Sequence, residues 1–142
     1  MREKGFMRRK IYFLVVFLLG ILVIGGCTLK KAGTEKIRDL EYTVLEETEI
    51  PETLLEEIEQ KKSEDFKMSY CEDDGLYIVR GFGMQETGGY SIQMRELYLA
   101  DNAVYFDADL IGPENGQDVE KTVSYPYIVI KTERLEENVV FE

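Results

Sequence analysis

The sequence predicts an α+β fold in which one amphipathic helix packs on a mostly antiparallel, meandering β-sheet. Apolar and polar residues alternate through much of the second half of the chain, which is typical of strands with one buried face. Turn-forming residues separate these segments. A single segment, residues 49–62, instead has its apolar residues at helical spacing. The predicted strands are residues 40–44, 66–70, 76–82, 90–99, 103–110, 125–132 and 139–141.

The first strand and the helix are predicted from local patterns. In residues 40–44 the apolar side chains occupy every second position, as in a short half-buried strand. In the helix, Pro51 suits the first turn, acidic residues crowd the N-terminal half, and Lys61 and Lys62 end it. Each charge therefore lies where the helix dipole favours it. The stripe that packs on the rest of the domain consists of Leu54, Leu55 and Ile58.

Turn residues connect the later strands. Residues 72–75, Glu-Asp-Asp-Gly, and residues 101–102, Asp-Asn, have the composition of hairpin turns. Residues 112–116, Gly-Pro-Glu-Asn-Gly, begin a longer loop. Within residues 90–99 the apolar alternation changes phase, which predicts a β-bulge near Glu96.

The N-terminus has the parts of a secretory signal peptide. Residues 1–10 carry five cationic side chains against one acidic one, and residues 11–24 are apolar or aromatic except for one glycine. The string Ile-Gly-Gly-Cys that ends at Cys27 resembles a lipobox. In such a motif, small residues let a peptidase reach the backbone, and the cysteine thiol accepts a diacylglyceryl group.

This N-terminus predicts a lipoprotein. We expect removal of residues 1–26, lipidation of Cys27 and a tether over residues 27–38, with the chain anchored at the extracytoplasmic face of the cell membrane. The alternative is an uncleaved helix over residues 11–27, since such a stretch could just cross a thinned bilayer. Both arrangements place the rest of the chain outside, because the cationic end stays in the cytoplasm.

The remainder of the chain is acidic and has the length of one domain. The 116 residues that follow residue 26 of this 142-residue chain suffice for a single domain, predicted over residues 39–142. Residues 1–26 hold five of the 17 basic and one of the 28 acidic residues, so the remainder holds 12 and 27, a net charge of −15. Such a domain is not expected to bind nucleic acid or anionic lipid.

The residue types argue against catalysis. The chain contains no histidine, which excludes Ser-His-Asp and Cys-His catalysis and any histidine-containing zinc site. Its acidic residues lack the spacing of a calcium-binding loop. Cys71 lies beside an acidic turn and has no disulfide partner once Cys27 is lipidated, so we interpret it as a half-buried small residue. We therefore predict no enzyme activity, no metal and no cofactor.

The most distinctive local motif is Thr87-Gly88-Gly89-Tyr90-Ser91. Its paired glycines join two strong strand segments and allow two interpretations. They form a hairpin loop that requires positive φ, or their bare backbone lets a partner chain come close, with Tyr90 and Ser91 at the edge of the contact. A phosphate-binding loop is excluded, because no helix follows and no lysine stands at the required spacing.

A second motif is Ser124-Tyr125-Pro126-Tyr127. Pro126 sets an extended backbone and removes one hydrogen-bond donor at the start of a strand. The motif therefore begins an edge strand with its tyrosines packed on the sheet, or it presents an exposed aromatic patch to a partner, since tyrosine is enriched at interfaces.

Together, the strings TGGYSI from residue 87 and SYPYIV from residue 124 resemble the C-terminal domain of the PrcB family, whose members are described as protease complex subunits. The resemblance covers residues 76–131, with both motifs in the expected order. It implies a small, non-catalytic, membrane-attached accessory domain that associates with an extracytoplasmic protease. Residues 87–91 and 125–127 are accordingly the candidates for contact with a partner protein.

Two other functions stay open. The domain could bind a small ligand or a peptide through aromatic residues on its sheet, or it could insert the glycine loop into a protease cleft as an inhibitor. The aromatic residues in question are Tyr77, Tyr90, Tyr105, Tyr125 and Tyr127.

Overall fold

Residues 35–142, the part of the chain that the computed structural model describes, fold into eight strands and one α-helix within a single unit. The predicted signal peptide, the lipidation site at Cys27 and most of the predicted tether lie outside these residues. No helix among the described residues is long and apolar enough to cross a membrane. The elements are β1 (Lys36–Asp39), β2 (Tyr42–Val44), α1 (Glu52–Lys61), β3 (Asp65–Glu72), β4 (Gly75–Phe82), β5 (Ser91–Ala100), β6 (Val104–Ile111), β7 (Tyr127–Thr132) and β8 (Val139–Phe141).

The strands form two four-stranded sheets. The first sheet has the order β1-β5-β6-β8, and the second sheet has the order β2-β7-β4-β3. All paired strands are antiparallel except β6 and β8. The predicted α+β class, with mostly antiparallel strands and one amphipathic helix, is confirmed for the described residues. The division into two sheets was not predicted.

The strand β4 explains the layered arrangement. Its Leu76 and Ile78 pack with residues of the first sheet, whereas Tyr77 and Val79 pack with α1. Because successive side chains of a strand point to opposite faces, both faces of β4 must be covered. The second sheet therefore lies between the first sheet and the helix. Full burial of one large apolar side chain stabilises such a core by about 1.5–3 kcal/mol.

Two hydrophobic cores result from these layers. The inner core, between the sheets, contains Leu40, Leu76, Ile78, Leu97, Val104, Phe106, Ala108, Ile128 and Ile130. The outer core, between the second sheet and the helix, contains Ile50, Leu54, Ile58, Tyr77, Val79 and Val129.

The helix follows its prediction closely. Pro51 is the N-cap, Glu52 lies in the first turn and Lys61 in the last, as the helix dipole favours. Leu54 and Ile58 are 2% and 0% exposed. A 3-10 turn over Glu47–Glu49 precedes the helix. The apolar stripe read from the sequence thus anchors α1 on the second sheet.

The predicted hairpin turns and the bulge are also present. Glu72 pairs directly with Gly75, so that residues 73–74 form a two-residue turn between β3 and β4. At the end of β5, the Ala100 N–H donates to the carbonyl oxygen of Ala103 over 2.9 Å. The register between β5 and β6 shifts between Met94 and Glu96. These features depend on neighbouring residues, which is why the local sequence predicts them.

The boundary between tether and domain differs from the prediction at residue 39. Residues 36–39 form β1, which pairs with the end of β5, so the ordered domain already includes part of the predicted tether. All four residues of β1 are exposed, and without a buried face the strand leaves no apolar alternation in the sequence. Backbone pairing and the Lys36 ammonium, 5.2 Å from the centre of the Tyr98 ring, hold it in place.

Candidate functional site

Two long crossovers between the sheets meet at one end of the domain. Residues 83–90 lead from β4 in the second sheet to β5 in the first, and residues 112–126 lead from β6 back to β7. We call these two segments the crossover pole. The glycine motif is therefore not a hairpin loop, as one interpretation held, because the strands that it joins lie in different sheets.

Hydrogen bonds connect the two crossovers. Gln85 and Ser124 form an isolated antiparallel bridge, in which the Gln85 N–H donates over 2.8 Å and the Ser124 N–H donates back over 3.0 Å. The Ser124 hydroxyl also donates to the carbonyl oxygen of Thr87 over 2.7 Å. Thr87 and Ser124 belong to the two motifs that carry the family resemblance, so the fold brings these motifs together.

The two glycines allow the second crossover to approach the first. The Gly88 N–H donates to the carbonyl oxygen of Glu120 over 2.9 Å. Gly89 has a φ of 85°, and a Cβ there would lie 2.5 Å from Cγ1 of Val119. Positive φ is costly for residues with a Cβ. In the structure, the close approach that we predicted for a partner chain is made by the protein's own backbone.

Tyr90 and Ser91 complete the glycine motif. The Tyr90 ring is half-buried against Gly112, where an added Cβ would lie 3.4 Å from the ring. Ser91 is exposed and begins β5, opposite Ile111 of β6. Of this pair, Tyr90 therefore links the two crossovers, while Ser91 faces solvent.

The tyrosine–proline motif enters a central strand rather than an edge strand. Pro126 lies just before β7 and accepts a 3.0 Å hydrogen bond from the Phe82 N–H, while β7 lies between β2 and β4. Tyr125 is half-buried, with the Lys62 ammonium 5.3 Å from its ring centre. Tyr127 packs against the outer core, and burial raises the pKa of its phenol. Neither tyrosine forms a freely exposed patch.

Two apolar side chains at the crossover pole are exposed. Met84 is 53% exposed and Val123 is 48% exposed, next to the bridging residues Gln85 and Ser124. Neither residue was predicted from the sequence to contact a partner; the available signal was that each is a large apolar residue whose immediate neighbours are glycine or polar residues. The exposed charged residues of the two crossovers are Glu86, Glu114, Asp118, Glu120 and Lys121.

A shallow cleft of about 650 Å³ lies at the opposite end of the strands, around Tyr42 and Thr132. Both cationic side chains that line it are paired: Lys131 with Asp74 over 2.7 Å, and Arg38 with Glu133 over 2.5 Å. The hydrogen bond from Lys131 lowers the pKa of Asp74. No group of three or more potential metal ligands occurs among residues 35–142.

The remaining candidate residues do not share one surface. Tyr77 is buried in the outer core, while Tyr105 of β6 is buried against Tyr98 of β5 within the first sheet. The five tyrosines considered for ligand binding therefore do not form one aromatic face. Cys71 is exposed rather than half-buried, because it lies on β3 at the edge of the second sheet.

Comparison with known proteins identifies the central part of this fold. Residues 76–133 match the family model described as PrcB C-terminal. This segment of 58 residues, out of 142, is similar to the PrcB C-terminal domain. This confirms the resemblance drawn from residues 76–131. No curated protein and no solved structure matches the chain.

The PrcB C-terminal segment corresponds to a defined part of the architecture. It contains β4, β5, β6 and β7 with both crossovers, which are the two central strands of each sheet. The strands outside the match, β1, β2, β3 and β8, each cover one edge of these central pairs. The crossover pole thus lies within the residues that match the PrcB C-terminal model, whereas the sheet edges are supplied by the rest of the chain.

Proposed function

We propose that this protein is a non-catalytic accessory subunit of an extracytoplasmic protease complex, anchored to the membrane by a lipid on Cys27 and binding its partner through the crossover pole. The observation that carries the proposal is the joining of both PrcB motifs at one pole by the Ser124–Thr87 and Gln85–Ser124 hydrogen bonds. Members of the family are described as protease complex subunits. The exposed Met84 and Val123 provide apolar contact area within a polar surround.

The direction of the strands supports this use of the pole. β5 begins at the crossover pole with Ser91 and ends ten residues later at Ala100, and the described chain begins beside that far end, where the Asp101 N–H donates to the carbonyl oxygen of Glu35 over 3.3 Å. A ten-residue strand spans roughly 33 Å. We infer that an anchor upstream of residue 35 is attached at the end of the strands opposite the crossover pole, which leaves the pole accessible to extracytoplasmic proteins.

The chemistry of the chain supports a binding role. Histidine is missing from the whole sequence, which removes the commonest general base. The cations of the cleft at the opposite end are engaged in ion pairs. Binding another protein requires neither a histidine general base nor unpaired cations in this cleft.

The geometry favours an assembly subunit over an inhibitor that inserts its glycine loop. The Gly88 N–H and the Thr87 carbonyl, which an inserted loop would offer to a protease, are bonded to the second crossover. Binding of a ligand on an aromatic face has less support, because Tyr77 and Tyr105 are buried in different places. An accessory subunit can bind through the surface of the crossover pole while the hydrogen bonds between the two crossovers stay in place.

Co-purification of proteolytic activity tests the proposal. Tagged full-length protein is isolated in mild detergent from its native membranes, and degradation of fluorescent casein by the eluate is measured. We expect activity with the wild type, and at least a tenfold loss with the double variant Met84→Ser, Val123→Ser. Ile37→Ser is the matched control, because Ile37 is 60% exposed on β1, away from the pole. An inactive wild-type eluate would refute the role in a protease complex.

A further inference from the structure

The outer edge of β3 is a long unpaired strand edge. β3 has eight residues and pairs with β4 along its whole length, and no other strand of residues 35–142 lies on its far side. The other three edge strands of the two sheets have four, three and three residues. A row of unpaired backbone groups of this length is a template for another strand.

The register shows which backbone groups point outwards. Glu72 and Gly75 flank a two-residue turn, so Glu72 directs its N–H and C=O towards β4. In an antiparallel ladder this direction alternates from one residue to the next. The N–H and C=O groups of Lys67, Ser69 and Cys71 therefore point away from β4. No backbone hydrogen bond within residues 35–142 engages these three residues on the outer side.

Little in β3 blocks the approach of another strand. Its sequence, Asp-Phe-Lys-Met-Ser-Tyr-Cys-Glu, contains no proline, and its pairing with β4 has no register shift. Natural edge strands are commonly protected by such features or by being short. Here Lys67 is the one cationic side chain on the strand.

The two faces of β3 define the pattern of an added strand. Phe66 and Met68 pack against the outer core, and Tyr70, on the same face, is 38% exposed. On the opposite face Lys67, Ser69 and Cys71 are exposed. A neighbouring strand continues both rows, so it needs apolar residues on one face and polar residues on the other.

Charge selects a basic segment of a different protein over a second copy of this chain. The chain after residue 26 has a net charge of −15. Asp65 and Asp73 stand at the two ends of the exposed polar row, with Arg80 at 3.0 Å from Asp65 and Arg134 at 4.0 Å from Asp73. Antiparallel pairing of two copies centred on Ser69 places Asp65 of each copy opposite Asp73 of the other. Like charges directly opposite each other destabilise a sheet.

We propose that the outer edge of β3 binds an extended segment of a partner protein with alternating apolar and basic residues, which joins the second sheet as a fifth strand. This surface lies outside the PrcB C-terminal match, and it adjoins the crossover pole at its Asp65 end, where Gly83 lies beside Asp65. Backbone hydrogen bonds to Lys67, Ser69 and Cys71 hold the segment, and the row that ends at Tyr70 receives its apolar side chains.

A peptide of defined pattern tests this directly. Full-length protein in non-ionic detergent is titrated into a fluorescein-labelled decapeptide of alternating valine and lysine, and fluorescence anisotropy is followed against detergent alone. We expect saturable binding by the wild type and at least tenfold weaker binding by Ser69→Pro. Proline removes the outward N–H of Ser69 and leaves the inward pairs of Met68 and Tyr70 with β4 in place. Ser69→Ala is the matched control and should bind like the wild type.

Hydrogen exchange of the wild type gives a second readout that does not depend on the proline variant. The amides of Lys67, Ser69 and Cys71 should exchange quickly in the free protein and become at least tenfold slower with the peptide. Unchanged exchange of these amides overturns the proposal, as does equal binding by correctly folded Ser69→Pro. Equal binding of a peptide with the same residues in non-alternating order shows attraction by charge alone and also overturns it. A wild-type dimer that Ser69→Pro abolishes would instead assign the edge to a second copy.

Discussion

The Ser124 hydroxyl donates a 2.7 Å hydrogen bond to the carbonyl oxygen of Thr87, 37 positions earlier in the chain. The bond joins two crossovers that run between the sheets in opposite directions. It is accompanied by the backbone bridge between Gln85 and Ser124. The crossover pole is therefore a cross-linked part of the domain, and its stability should depend on contacts between the two crossovers.

The substitution Ser124→Ala should destabilise the protein by about 1 kcal/mol, because a neutral hydrogen bond contributes about 0.5–1.5 kcal/mol net. Urea unfolding followed by circular dichroism measures this as a lower midpoint with an unchanged slope. Ser91→Ala is the control, since Ser91 is exposed at the start of β5. Equal midpoints for the two variants would show that the bond does not contribute to stability.

Alanine at the two neighbouring glycines should have very different effects. Gly89→Ala must adopt a φ near 85° and contact Val119, and such strain costs on the order of 1–3 kcal/mol. At Gly88 an added Cβ meets its nearest neighbour, the carbonyl oxygen of Glu120, at 3.6 Å, an ordinary contact. Gly88→Ala should therefore change stability by less than about 0.5 kcal/mol. Thermal melts of the two variants check this, and a larger loss at Gly88 would contradict the assigned conformations.

The ion pair between Asp74 and Lys131 should be visible in a carboxylate titration. The hydrogen bond from Lys131 lowers the pKa of Asp74 below its ordinary value of 3.8, so the pair stabilises the fold above that value and loses its effect as the pH falls through the pKa of the folded state. NMR titration of Asp74 should show the low midpoint. Lys131→Met should return it towards the ordinary value, and a midpoint that stays unchanged would assign the shift to another group.

The proposed orientation at the membrane can be measured by energy transfer. In a Cys71→Ser background, full-length protein from membranes is labelled at Asn102→Cys, beside the start of the described chain, or at Asn115→Cys, in the crossover pole. After reconstitution into vesicles with acceptor lipids, transfer should be stronger from residue 102, since the two ends of the strands are roughly 33 Å apart.

The same preparation separates anchoring from orientation. Protein that does not float with the vesicles contradicts the lipid anchor at Cys27. Protein that floats but transfers equally from residues 102 and 115 contradicts the orientation of the pole. Mass spectrometry of the peptide that begins at Cys27 reports the lipid itself.

Features that depend on neighbouring residues could be predicted without the structure. The helix begins after Pro51 and buries Leu54 and Ile58 because charge placement and apolar spacing are local properties. The turn between Glu72 and Gly75 follows from its acidic and glycine residues. The family match likewise depends on residue strings, and it agrees with the resemblance noted from TGGYSI and SYPYIV.

Features that depend on the pairing of strands far apart in the chain could not be predicted from the sequence. The sequence does not show that β4 and β5 lie in different sheets, because the alternation of apolar and polar residues in a strand is the same whichever strand it pairs with. β1 has no buried face, so its pairing beside β5 left no pattern. The contact between Gly89 and Val119 could not be predicted either, because a glycine allows the close approach of a partner protein and of a residue of the same chain equally well.

The sequence by itself thus determined the helix, the strands other than β1, the acidic character, the lack of histidine chemistry and the PrcB resemblance, because each of these is a local or compositional property. Only the tertiary structure decided that the two motifs form one pole, that residue 35 lies at the opposite end, and that the β3 edge is left open. These three depend on how strands far apart in the chain share two sheets, and that arrangement is set by the need to cover both faces of β4.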